Sequence, residues 1–159
     1  MSRTDYFSEP FVMKPSSKEK LRILLVEDSA ADAMLIQRGF RKAGIACSID
    51  WIEDGEKAIA FLEQRDGYQQ AVRPDLIILD LNLPRLDGRE VLHKIKSNSA
   101  FRRIPIVVMS TSDSERDISI SYDLHANCYI VKPFDVNDFL QIASSIEQFW
   151  LKTVRLSQY

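Results

Sequence analysis

The sequence predicts an α/β domain built on one doubly wound, five-stranded parallel sheet with five helices, and three observations carry that expectation. Short apolar runs recur at residues 22–26, 48–52, 76–79, 106–109 and 128–131. Between them lie segments in which apolar residues return at helical spacing. The aliphatic runs at 22–26 and 76–79 do not alternate with polar residues, which is the pattern of strands covered on both faces. Strands and helices alternating in this way make a parallel sheet with right-handed crossovers.

Size and charge set the frame. With 159 residues, 45% hydrophobic and 28% charged, the chain has the composition of one globular domain. Its net charge of -2 leaves no basic footprint, so neither nucleic acid nor a membrane surface is expected as a partner. No apolar run reaches the ~20 residues of a membrane span. The amino terminus carries Asp5 and Glu9 and lacks the apolar stretch of a secretory signal. A cytoplasmic protein is the expectation. Cys47 and Cys128 form no Cys-x-x-Cys and are expected as buried free thiols of a reducing compartment.

The elements follow in order. Residues 1–20 hold Pro10 and Pro15 among polar residues and isolated aromatics, which predicts a flexible tail. The run Arg22-Ile23-Leu24-Leu25-Val26 ends on Glu27 and Asp28. Ser29, with Asp32 three residues later, marks a helix start. Ala33, Ile36, Phe40 and Ala43 form that helix's apolar stripe, and Gly44 closes it. Residues 48–52 read as a short strand and 56–64 as a helix. Leu76-Ile77-Ile78-Leu79 is a buried strand that ends on Asp80, with Pro84 and Gly88 in the turn beyond. Residues 89–98 carry Val91, Leu92 and Ile95 at helical spacing. Pro105 opens the strand at 106–109, which runs into Ser110, Thr111 and Ser112. A helix over about 114–124 leads to the last strand, 128–131, and to Lys132 and Pro133.

Asp135, with Asp138 three residues on, caps a last helix over 135–154, which would run ~30 Å at 1.5 Å per residue. Its inner stripe is expected to be Phe139, Ile142, Ile146 and Phe149, with Trp150 and Leu151 pointing elsewhere; Phe134 is expected in the core. The domain then spans residues 21–154, followed by a short tail at 155–159. No DNA-binding domain is expected after it, so output would pass through protein contact.

Glu27, Asp28, Asp80, Ser110 and Lys132 all fall at carboxyl ends of strands, where open α/β sheets bind ligands. Each alone has a plain structural role: the acidic pair as partners of a helix dipole, Asp80 and Ser110 as caps, Lys132 as a solvated charge. Together, three carboxylates repel one another unless a cation lies between them, and Mg2+ suits oxygen ligands that share it with a phosphoryl group. Lys132 and the metal would face Asp80, whose carboxylate can form an acyl phosphate. A metal-dependent phosphohydrolase wants a second acid just after the nucleophile, and position 82 is Asn. No glycine-rich phosphate loop follows any strand. His93 and His125 have no partner spacing.

The series Val26-Glu27-Asp28, Leu79-Asp80 with Asn82, Pro84 and Asp87-Gly88, Met109-Ser110, and Tyr129 with Lys132-Pro133-Phe134 resembles the receiver domain of bacterial two-component response regulators. The likeness spans about residues 21–150. Gly88-Arg89-Glu90-Val91-Leu92 and the ending through Phe149 and Trp150 are similar to single-domain regulators paired with cyanobacterial phytochrome kinases. The resemblance implies a flavodoxin-like strand order 2-1-3-4-5 and Asp80 as phosphoacceptor. Glu27, Asp28 and Asp80 would bind Mg2+ with the backbone carbonyl of Asn82. Ser110 would be the switch hydroxyl, Tyr129 the switch aromatic and Lys132 the phosphate-contacting base. The partner implied is a sensor histidine kinase, and an isologous homodimer is expected through the last strand and last helix. A constitutive docking module that is never phosphorylated stays open as the alternative. Thr111 departs from the small residue usual after the switch hydroxyl and is expected to narrow access to Asp80.

Overall fold

The computed structural model describes residues 20–157; the amino-terminal tail, apart from Lys20, and residues 158–159 lie outside them. Five parallel strands, β1 Leu21–Val26, β2 Cys47–Ile52, β3 Leu76–Leu79, β4 Ile106–Ser110 and β5 Cys128–Val131, stand in the order β2-β1-β3-β4-β5. Helices α1 Ala30–Lys42, α2 Gly55–Leu62, α3 Gly88–Ser97, α4 Glu115–Asp123 and α5 Val136–Ile146 alternate with them. Both the architecture and the strand order agree with expectation.

Strand side chains sort by parity, because successive residues point to opposite faces. Ile23, Leu25, Leu76, Ile78, Val107 and Met109 pack with α1 and α5. Leu24, Val26, Ile77, Leu79, Ile106 and Val108 pack with α2 and α3. The central strands are therefore apolar on successive residues, with only Arg22 of β1 and Ser110 of β4 as exceptions, since each face has its own core.

Every helix begins on a short polar side chain that accepts from the first turn: Ser29 from Asp32 N at 3.2 Å, Asp54 from Lys57 N at 2.7 Å, and Asp135 from Asn137 N at 2.8 Å. Asp87 and Glu90 form a reciprocal capping box at α3, and Ser114 caps α4. These caps satisfy orphan backbone donors and start each helix a few residues beyond a strand end. The site residues lie in those short connections.

The last helix departs from expectation. It is α-helical only to Ile146 and continues as a π-helix over Glu147–Thr153. Val154 N accordingly donates to Phe149 O, five residues back, at 3.0 Å. The wider turn rotates the stripe. Phe149, expected inside, is 50% exposed, whereas Trp150 and Leu151, expected to point elsewhere, pack against the α1–α5 core together with Leu156. Phe134, expected in the core, is fully exposed. Both cysteines are free and half-buried rather than buried, and burial pushes both thiols up.

Gly88 couples the fold to the strand ends. A Cβ there would overlap the carbonyl oxygen of Asp80 and sit 2.5 Å from Leu81 Cα, and its N–H donates to Leu81 O at 2.9 Å. Gly88→Ala must push α3 off the end of β3 and is expected to cost about 2–4 kcal/mol. Gly44 has a positive φ of 69° but open space for a Cβ, so Gly44→Ala should cost only about 1 kcal/mol, from strain alone. Urea titration of the two variants beside wild type measures both.

Candidate functional site

The sheet itself holds the main chain of the site. Glu27 N donates to Ile52 O at 3.0 Å, Asp80 N to Val26 O at 3.0 Å and Lys132 N to Ser110 O at 2.7 Å. Each of these residues lies one step past its strand yet remains in the ladder, so its side chain leaves the sheet from a fixed point. Glu27, Asp80, Ser110 and Lys132 are buried, and Asp28 is exposed.

The Lys132 ammonium organises the crevice. Its Nζ lies 2.6 Å from Glu27 Oε2, 2.9 Å from Asp32 Oδ2 and 2.9 Å from Asp80 Oδ2. The other oxygens of the two buried acids face backbone: Glu27 Oε1 accepts from Ser29 N at 3.0 Å, and Asp80 Oδ1 accepts from Asn82 N at 3.1 Å. Trp51 Nε1 donates to Glu27 O at 2.7 Å. Burial raises Glu27 to about 7, with the Asp80 charge adding to it and the Lys132 hydrogen bond opposing. Burial alone would lower Lys132, but its bonds to Glu27, Asp32 and Asp80 outweigh that and hold the ammonium above its ordinary value.

Glu27, Asp28 and Asp80 each present a carboxylate oxygen within 4.8 Å of the other two. Such a set of hard oxygens, one from an exposed side chain with room for water beside it, fits a divalent cation of the Mg2+ or Mn2+ type. Asn82 lies exposed at the mouth. Ser110 closes β4, its hydroxyl accepting from Ser112 N at 3.2 Å. Tyr129 packs its ring against the α2–α3 core and donates its hydroxyl to Ser112 O at 2.7 Å. The same loop is tied to α3 and α4, because Asp117 accepts from Ser112 Oγ at 2.6 Å and from Arg89 Nη2 at 2.5 Å.

The strand-end residues named from the sequence thus gather at one sheet edge. Two further members were not read there. Asp32, taken only as a partner in the Ser29 cap, reaches Lys132; the available signal was its spacing of four from Asp28, one helical turn. Trp51, in β2, bonds the Glu27 carbonyl across the first strand pair, and nothing local marks it.

Comparison with known proteins finds relatives along most of the chain. The model of the response regulator receiver domain matches residues 23–144. Response regulator Rcp1 of Synechocystis sp. is 46% identical over 144 residues, which is 91% of this chain and 98% of that protein. The crystal structure of the Mn2+-bound form of Rcp1 superposes with a TM-score of 0.79 at 47% identity, covering 86% of this chain and 99% of that one. The structure of the phosphorylated cyanobacterial phytochrome response regulator RcpA gives a TM-score of 0.82 at 49% identity, covering 87% and 99%. Among the described residues no helix is long and apolar enough to cross a membrane.

Two outcomes follow from the charge balance. Lys132→Met leaves buried acids without their cation and is expected to cost about 3–5 kcal/mol, part of which added Mg2+ restores; denaturant melts with and without the ion measure it. Folded Glu27 holds its proton more tightly than an unfolded glutamate, about 7 against an ordinary 4.5. Its stabilising contribution is therefore present below the unfolded value and lost as pH rises through the folded one. In metal-free protein, Glu27→Gln should remove that component of the fall in stability between those two pH values.

Proposed function

Because the chain belongs to the response regulator receiver family, we propose that Asp80 is the residue that receives a phosphoryl group from a sensor histidine kinase. The observation that carries this reading is the Asp80 carboxylate, buried at the end of β3 and held from either side by Lys132 Nζ at 2.9 Å and Asn82 N at 3.1 Å. The likeness to Rcp1 and RcpA supports a phytochrome as that kinase. The cycle is read as cytoplasmic.

An oxygen of Asp80 attacks the phosphorus of the kinase phosphohistidine; the O–P bond forms as the P–N bond breaks, and the departing imidazole takes a proton from solvent. Mg2+, held by Glu27, Asp28, Asp80 and the backbone carbonyl of Asn82, would neutralise charge on the phosphoryl oxygens. Lys132 stands ready to pair with one of those oxygens. Ser110, at the end of the neighbouring strand, offers a hydroxyl to another. Movement of Ser110 is felt by Tyr129 through Ser112, whose N–H bonds Ser110 Oγ and whose carbonyl accepts from Tyr129. A local change of charge then biases the β4–α4 loop and the face beyond it.

The output face is the outer edge of β5 and α5. A groove of about 910 Å³ there is lined by Cys128, Ile130, Ile142, Ile146, Phe149 and Trp150 among others, and Phe149 is half exposed on its rim. A second copy of the chain fits this apolar surface as an isologous partner.

Incubation with a small-molecule phosphodonor and Mg2+, read by intact mass, should add one phosphoryl group to wild type and none to Asp80→Asn or to metal-free protein. A wild-type protein that never gains mass would leave the docking-module alternative in its place. Sedimentation velocity at micromolar concentration should give a dimer for wild type and a monomer for Phe149→Glu. Wild type sedimenting as a monomer both before and after phosphorylation would remove the dimer.

A further inference from the structure

We propose that Asp32 is a positioning residue for Lys132, giving the ammonium an anion to hold when a divalent cation draws Glu27 and Asp80 to itself. This rests on the reading of Glu27, Asp28 and Asp80 as the cation site.

Lys132 has three N–H donors, and three carboxylates lie within hydrogen-bond distance of its Nζ: Glu27 at 2.6 Å, Asp32 at 2.9 Å and Asp80 at 2.9 Å. Two of the three, Glu27 and Asp80, also belong to the group of converging oxygens. A divalent ion and the ammonium therefore compete for the same two side chains. Asp32 is the only one of Lys132's three partners outside that group. Its side chain retains 32% exposure, against 1% for Glu27 and 5% for Asp80.

Placement explains how Asp32 can serve both states. It stands in the first turn of α1, whose start is fixed by the Ser29 cap on Asp32 N, so its Cα cannot follow the ammonium. The first turn of a helix also favours a negative charge there. Without Asp32 a buried ammonium would have to stay wholly on Glu27 and Asp80, opposing the incoming ion, because an unpaired buried charge is expensive. With Asp32 present, Lys132 gives up those two bonds and keeps one. It then stays beside Asp80, free to turn two donors to a phosphoryl group.

A purely structural role predicts something different. An acid in a first helical turn contributes to helix stability whether or not Lys132 is present, and its loss would lower stability alone.

The test is a double-mutant cycle on cation affinity, read by the fluorescence of Trp51, whose indole bonds the Glu27 carbonyl, and checked by calorimetry with Mg2+. Asp32→Asn should raise the Mg2+ Kd by about three- to tenfold, the range expected when one charge is removed from a partly screened cluster. Asp32→Glu should recover most of the loss. In a Lys132→Met background, Asp32→Asn should change the Kd by less than about twofold, because the competitor is gone. The same loss with and without Lys132 would overturn the proposal and leave Asp32 as a general field charge. An unchanged Kd in Asp32→Asn with a lowered melting point would overturn it in favour of the helix role. Wild type that binds neither Mg2+ nor Mn2+ would instead remove the cation site itself, and the Asp32 role with it.

Discussion

A buried ammonium surrounded by carboxylates is the interaction on which the site depends. Lys132 comes from the far side of the sheet, past β5, and meets Glu27 from β1, Asp80 from β3 and Asp32 from α1. Glu27 and Asp80, both buried, repel one another strongly unless a cation pairs with them. The arrangement is also unfinished: one ammonium faces the three acids it contacts and Asp28 nearby, so the crevice stays anionic. That residual charge, at hard oxygen donors, is what a divalent cation answers.

The rest of the fold fixes where these charges stand. Because Glu27, Asp80 and Lys132 keep their N–H groups in the strand ladder, the sheet sets their spacing to that of adjacent strands. Short capped connections then bring helix starts close to the same edge. Gly88 shows how tight this is, since α3 leaves the β3 turn with no room for a single methyl between it and Asp80. On the proposed reading of Asp80 as phosphoacceptor, this rigidity spares the reaction the cost of ordering the site.

Beside the carboxylate cluster the connections are polar rather than packed. Tyr129, Ser112, Asp117 and Arg89 form one hydrogen-bonded series that joins β5, the loop after β4, α4 and α3. Ser110 enters the series through Ser112. A loop held by a few polar bonds rather than by a packed core opens at lower cost than the strands beside it. The π-helical end of the last helix adds a second feature, turning Phe149 outward beside the β5–α5 groove while Trp150 and Leu151 close the core edge.

Much of this was legible in the sequence, for physical reasons that are local. Uninterrupted aliphatic runs such as Leu76-Ile77-Ile78-Leu79 announce strands buried on both faces, and Ser29, Asp87 and Asp135 announce helix starts, because burial and capping act over a few residues. Four strand ends carrying Glu27, Asp28, Asp80, Ser110 and Lys132 followed from that alternation, and the strand order from the family motifs they compose. Tertiary structure decided the rest. Asp32 reads as an ordinary first-turn acid until Lys132, 100 residues away, is folded against it. Trp51 joins the site only through the β1–β2 pairing. Phe134 and Phe149 were assigned inside on their chemistry, and both lie outside: Phe134 in the loop after the site lysine, Phe149 because the last helix changes pitch. Apolar character specifies that a residue gains from burial, but the turn geometry and the neighbours that receive it are set by the whole chain, and those contacts have no trace in local spacing.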